Sequence, residues 1–114
     1  TFDGTCIRDY IHVSDLASAH LLALEKMANE NKCGMNMIYN LGSEKGFSVN
    51  QIVNAVKEVT HINIKTMIAP RRLGDPAELV ASSEKIKKEL GWLPQYTDIK
   101  DIIATAWEFR KKMR

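Results

Sequence analysis

Apolar residues return along this chain with two different periods, and the change from one to the other outlines its elements. From residue 14 to about residue 30, Leu16, Ala19, Ala23 and Met27 recur every three or four positions, with Leu22 and Leu24 widening the stripe. That repeat marks one face of an α-helix. Ser14 or Asp15 stands where a short oxygen-bearing side chain caps the first turn, and "ENKCG" ends the run. Residues 49–60 show the same period in Val49, Ile52, Val53, Val56 and Val59, and "SVNQ" at 48–51 is a capping box. A short helix is expected over "SSEKIKKELGW" (82–92), capped by Ser82 or Ser83 and stopped by Gly91. Asp98 opens the last helix, whose apolar face is Ile99, Ile102, Ile103, Ala106 and Trp107.

Three stretches alternate with period two and read as strands: "IRDYIHV" (7–13), "MNMIYNLG" (35–42) and "INIKTMIA" (62–69). The predicted order is β-α-β-α-β-α-α, a mixed α/β, α+β-like small lobe. At 114 residues the chain can bury one core, so 1–114 is read as a single domain.

Composition narrows the classes. With 45% hydrophobic and 26% charged residues, the chain is neither disordered nor a disulfide scaffold. A net charge of +2 gives no electrostatic case for nucleic acid or a membrane surface. The basic run "RKKMR" (110–114) sits at the end of a helix, where cations complement the helix dipole. No apolar stretch approaches the roughly 20 residues that span a bilayer, and no signal peptide opens the sequence. Cys6 and Cys33 fit no metal-ligand spacing and read as reduced thiols, which points to the cytoplasm. The opening "TFDGTC" is turn-like with no element before it, an odd start that points to missing upstream sequence.

One segment resists both periods. "APRRLGDPAEL" (69–79) sets two arginines between Pro70 and Pro76, with Gly74 and Asp75 close behind. Both prolines lack the N–H a central strand needs, and Gly74 gives the freedom for a turn. On its own the segment reads as a solvated loop whose arginine pairs with Asp75. If it is extended, Arg71 and Arg72 point opposite ways and cannot serve one site.

The strings "GTCIRDYIHVSDLASAHLLALE", "YNLGSEKGFSVNQIV", "PRRLGD" and "KIKKELGWLP" change that reading. In order and spacing they resemble the C-terminal part of the UDP-glucose 4-epimerase family (UDP-galactose 4-epimerase), within the extended short-chain dehydrogenase/reductase superfamily. The resemblance covers essentially the whole chain. It implies the C-terminal substrate lobe of an NAD(P)-binding Rossmann-fold isomerase of galactose metabolism, a cytoplasmic homodimer, with the Rossmann part absent here. The family's Gly-rich NAD motif and its Tyr-x-x-x-Lys dyad do not occur. Gly42 and Gly46 have the wrong spacing for a dinucleotide cradle, and the Tyr96 to Lys100 separation in "YTDIK" is coincidental. The chain is therefore expected to hold no NAD, no metal and no catalytic residue, and to be inactive alone.

Carried over by motif, the resemblance implies a UDP-sugar partner. Arg8 and Arg72 match the two arginines that meet the pyrophosphate, and guanidinium forks suit phosphate oxygens. Asp75 matches the aspartate that accepts hydrogen bonds from the ribose. Leu79 falls where the family places a residue beside the sugar that influences tolerance of a 2-N-acetyl group. Arg71 is left as a solvated charge. His12 is read as a structural, hydrogen-bonded histidine, and Asn40 as a turn residue. Two alternatives stay open: the lobe of another NDP-sugar short-chain dehydrogenase, a decarboxylase or dehydratase, and a stand-alone nucleotide-binding or interaction module. The surface that normally faces the Rossmann lobe is expected to be partly apolar and uncovered, and to drive self-association.

Overall fold

The computed structural model describes residues 1–30 and 34–113; Cys33 lies outside them. Seven elements follow in the order β1 (Ile7–Arg8), α1 (Val13–Glu30), β2 (Phe47–Ser48), α2 (Val49–Thr60), β3 (Glu78–Leu79), α3 (Glu84–Leu90) and α4 (Ile99–Lys112). The mixed α/β character is as the patterns indicate. The strands are not where alternation placed them, apart from the first two residues of 7–13.

The sheet is small and ordered β2-β1-β3. β1 pairs antiparallel with β2, Ile7 opposite Ser48 and Arg8 opposite Phe47. It pairs parallel with β3, Ile7 opposite Glu78 and Arg8 opposite Leu79. This register sets Arg8 between the start of α2 and the chain that leaves the Pro-Arg-Arg loop.

The stretches 35–42 and 62–69 form no ladder, which corrects two of the three expected strands. In 35–41 the alternation is real: Met35, Met37, Tyr39 and Leu41 are half-buried, and the residues between them are exposed. Tyr39 and Leu41 pack on the core. A strand also needs a backbone partner, and among the described residues no segment pairs with this one in a ladder. In 62–69 even the sidedness is lost, since Met67 is 90% exposed and Ile68 wholly so. Beyond Arg8 the ladder stops at Asp9, whose carboxylate bonds the two neighbouring chains in place of a backbone carbonyl. Asp9 accepts from Ser43 N (2.9 Å) and Ala81 N (3.1 Å).

Helix starts follow capping chemistry, with two corrections. Ser48 and Gln51 form the expected box at α2, and Asp98 caps α4 through Lys100 N. At α1 the cap is neither Ser14 nor Asp15. His12 accepts Ser14 N at Nδ1 (3.0 Å), which places its proton on Nε2, 2.8 Å from Thr105 Oγ1. The ring also stacks on Tyr96, 3.7 Å between centroids. Asp15 is buried and spends both carboxylate oxygens on Gln95 N (2.8 Å) and Tyr96 N (3.0 Å). At α3 the buried Ser83 makes no side-chain cap, while Ser82, the other candidate, accepts Glu84 N at its hydroxyl (3.3 Å). The Ser83 hydroxyl pairs with Gly42 through two 2.6 Å bonds, and Glu44 accepts Ser83 N instead (3.1 Å).

The core is Ala19, Ile86 and Trp92, with Leu22, Tyr39, Leu41 and Leu90 against it. Trp92 donates its indole N–H to Asp15 O (2.9 Å), so the packed ring is also satisfied. α1 packs on α3, and α2 on α4. The α2–α4 contact buries Ala55 and Ile99 and is tied at the surface by Lys100 and Glu58 (2.5 Å).

Candidate functional site

Beside the sheet lies an open cleft of about 400 Å³, lined by residues 1 and 4–6, Val49, the loop 69–72, Asp75 and Ala77. One wall is the N-terminal turn. Asp3 holds it, accepting Thr5 N (2.9 Å) at one oxygen and the Ser48 hydroxyl at the other. Val49 N donates to Cys6 O (3.0 Å), which seats the start of α2 against the same wall.

The opposite wall is the Pro-Arg-Arg loop. It is not extended throughout: Leu73 and Gly74 form a turn, Gly74 takes φ +77°, and Asp75 N approaches Arg72 O (3.4 Å). That φ lies in the left-handed region glycine tolerates. The turn overrides the opposite-faces expectation. Both Arg71 and Arg72 line the cleft, and both bond to Asp75, Arg71 to its carbonyl (2.9 Å) and Arg72 to its carboxylate (3.1 Å). Arg71 is exposed, as a solvated charge is, and also braces the loop through the Asp75 carbonyl.

Asp75 is where the site converges. Arg8 donates to Asp75 Oδ1 across 67 residues of chain, and Arg72 and Cys6 reach Oδ2, the thiol at 3.7 Å. Burial alone would raise the carboxyl's pKa, but hydrogen bonding and charge from Arg72 and Arg8 outweigh it and hold the group below the usual range. Three of the four expected binding residues, Arg8, Arg72 and Asp75, thus form one cluster. Leu79 stands apart from the cleft wall. It is 61% exposed and pairs with Arg8 across the parallel ladder.

Cys6, Val49 and Arg71 were missed. A signal for Cys6 existed, since it precedes Arg8 by two positions and alternate residues of a strand share a face. None marks Val49, whose place depends on a helix starting straight after β2.

Gly42 and Gly46 do not form a dinucleotide cradle. A Cβ on Gly42 would run into the carbonyl of Ala81 and come within 2.6 Å of Asp9 Oδ2. A Cβ on Gly46 would strike Ile7 and Val80. Both glycines serve internal chain crossings and cradle no phosphate. Among the described residues no group of His, Cys, Asp or Glu could hold a metal, and no helix is long and apolar enough to cross a membrane.

Residues 1–105 match the family model described as GDP-mannose 4,6 dehydratase. The UDP-glucose 4-epimerase of Corynebacterium glutamicum is 55% identical over 109 residues, 96% of this chain and 32% of that protein. A crystal structure of a UDP-glucose 4-epimerase superposes with a TM-score of 0.90 at 55% identity, covering 98% of this chain and 33% of the other. The Stenotrophomonas maltophila enzyme, solved with bound NAD and formylated UDP-arabinopyranose, gives a TM-score of 0.89 at 37% identity, covering 99% and 32%. The chain thus spans about a third of the length of these relatives. It belongs to the GDP-mannose 4,6 dehydratase family, and within it stands beside the UDP-glucose 4-epimerases.

Proposed function

We propose that residues 1–114 are the nucleotide-sugar-binding lobe of a UDP-glucose 4-epimerase, the enzyme that interconverts UDP-glucose and UDP-galactose through a 4-keto intermediate. The observation that carries this is the gathering of Arg8 and Arg72 on Asp75, with Arg72 and Asp75 in the cleft lining and Arg8 reaching them from β1. These residues come from distant parts of the chain and form a charge set suited to a diphosphate. Arg8 and Arg72 bind phosphate oxygens, Asp75 accepts ribose hydroxyls, and Leu79 borders the hexose.

NAD, which supplies hydride transfer in such an enzyme, belongs to the part of the parent protein outside this chain, because the glycines here cannot cradle it. The parent reads as a cytoplasmic homodimer of galactose metabolism. The relative solved with NAD and a UDP-pentose derivative supports the ligand class.

The test is direct. The chain should bind UDP with a dissociation constant on the order of millimolar, near 4 kcal/mol, because half a site leaves a loop to be ordered on binding. Uridine should bind more weakly still. The chain alone should neither convert UDP-galactose with added NAD nor retain the dinucleotide. Turnover above buffer, or no NMR shift with UDP, would overturn this reading.

A further inference from the structure

The two arginines are not waiting empty. Asp75 Oδ1 takes Arg8 and Oδ2 takes Arg72, so one carboxylate occupies both guanidinium groups as two phosphate oxygens would. The pairing is built in. Arg71 holds the Asp75 carbonyl (2.9 Å), the Cys6 thiol lies against Oδ2 (3.7 Å), and Arg8 Nη1 is spent on Ile7 O (2.7 Å). The Arg8 and Asp75 side chains are only 23% and 19% exposed, whereas Arg72 is 85% exposed.

An anion that bridges the two arginines through the Nη2 groups now on Asp75 takes them from that carboxylate. A bare anion then strands a half-buried carboxylate beside fresh negative charge, and like charges close together are costly. A ligand with hydroxyl groups next to its phosphates gives the released carboxylate new donors in exchange. Each half of that trade is a charge-assisted hydrogen bond, so the two halves are of similar size.

We propose that Asp75 is a specificity-determining residue, standing in for phosphate on Arg8 and Arg72 so that the cleft rejects free phosphate and pyrophosphate and admits diphosphates bearing a vicinal diol. This rests on the nucleotide-binding reading above and adds to it a reason why abundant small anions do not fill the site.

The experiment titrates the wild-type chain and Asp75→Asn with inorganic pyrophosphate and with UDP, followed by NMR at fixed ionic strength. The wild type should bind UDP more tightly than pyrophosphate. Asp75→Asn should bind pyrophosphate about fivefold more tightly than the wild type, as expected for removing one unit charge some 4 Å away, and should lose its preference for UDP. Adding Arg72→Ala to Asp75→Asn should remove the gain. Unchanged or weakened pyrophosphate binding in Asp75→Asn overturns the proposal, as does a gain that survives the loss of Arg72. If Asp75→Asn gives a poorly dispersed spectrum, Asp75→Ser makes the same comparison. The wild type also stands alone as a test, since pyrophosphate binding as tight as UDP overturns the proposal without any variant. UDP binding without the pyrophosphate gain defeats this inference only. The gain without UDP binding defeats the nucleotide reading, and with it the admission of diol-bearing diphosphates, and leaves only the exclusion of pyrophosphate by Asp75.

Discussion

At the scale of single residues, the behaviour of this chain turns on carboxylates that hold several donors at once. Asp3 is kept below the ordinary carboxyl range chiefly by the Ser48 hydroxyl and then by Thr5 N–H. Glu44 is kept low by Lys87 (2.8 Å) and by Ser83 N–H. Asp75 is low because its arginines outweigh its burial. A carboxyl that binds its proton less tightly folded than unfolded stabilises the fold above the unfolded value, near 4. That stability is lost as pH falls through the lower folded value. Thermal midpoints should therefore stay level from pH 7 to about 5 and fall below about 4, and Asp3→Asn should make the fall shallower. A midpoint that declines evenly from pH 7 would contradict the assignment. At the cleft, Arg72→Ala should weaken UDP binding by roughly 1.5–3 kcal/mol, the range for a lost charged hydrogen bond. Arg71→Ala removes only a brace on the Asp75 carbonyl and should cost about 0.5–1.5 kcal/mol; NMR titration ranks the two. That Arg8, Arg72 and Asp75 come together could be read from motif resemblance. That Arg71 joins them at the Asp75 carbonyl could not, because the argument for opposite faces assumed an extended segment, and Gly74 turns it.

Among the elements, helices were legible and strands were not, and the difference is physical. A helix satisfies its backbone from within, so the spacing of Val49, Ile52, Val53 and Val56, with Ser48 and Gln51 at the start, fixes α2 almost alone. A strand depends on a partner elsewhere, so the alternation in 35–41 could foretell which side chains turn inward but not whether a ladder forms. The observed strands, two residues each, are too short for any period to register. The capping box of α2 and Asp98 at α4 were legible, whereas the roles of Asp15 and Ser83 were not, for a related reason. The side chains of Asp15 and Ser83 had more distant uses, in the turn at Gln95 and Tyr96 and in the crossing at Gly42. His12 took the capping place at α1 while stacking on Tyr96. His12→Ala should therefore cost about 1–2 kcal/mol of stability, the value of a helix cap, and urea unfolding measures it. Gly42→Ala should cost about 2–3 kcal/mol, as for an overpacked site, because the new methyl meets the backbone carbonyl of Ala81. Equal stability of either variant with the wild type would refute the corresponding contact.

At the scale of the whole molecule, the radius of gyration is 17.3 Å, with extents of 53 × 37 × 21 Å. A compact chain of this length would measure about 13 Å. The excess comes from a small core and from segments that carry apolar side chains outward. On α1, Leu21, Leu24 and Met27 are exposed, Phe109 is exposed on α4, and Ile38, Met67 and Ile68 are exposed along the two stretches that alternate without a ladder. The groove between Ile11, Val13, Ile102, Ala106 and Phe109 is nearly all apolar in its lining. Contiguous surfaces of this kind are rare on monomers and drive pairing. An extended segment with unpaired backbone groups adds a second route to association. The chain should therefore self-associate as its concentration rises, with apparent mass in light scattering climbing above the 12.9 kDa of one copy. Leu24→Glu and Phe109→Glu, which place charge on different helices, should each lower the association. A strictly single-copy mass at high concentration would mean that these apolar faces fold against one another in solution, and that the chain is more compact than 17.3 Å.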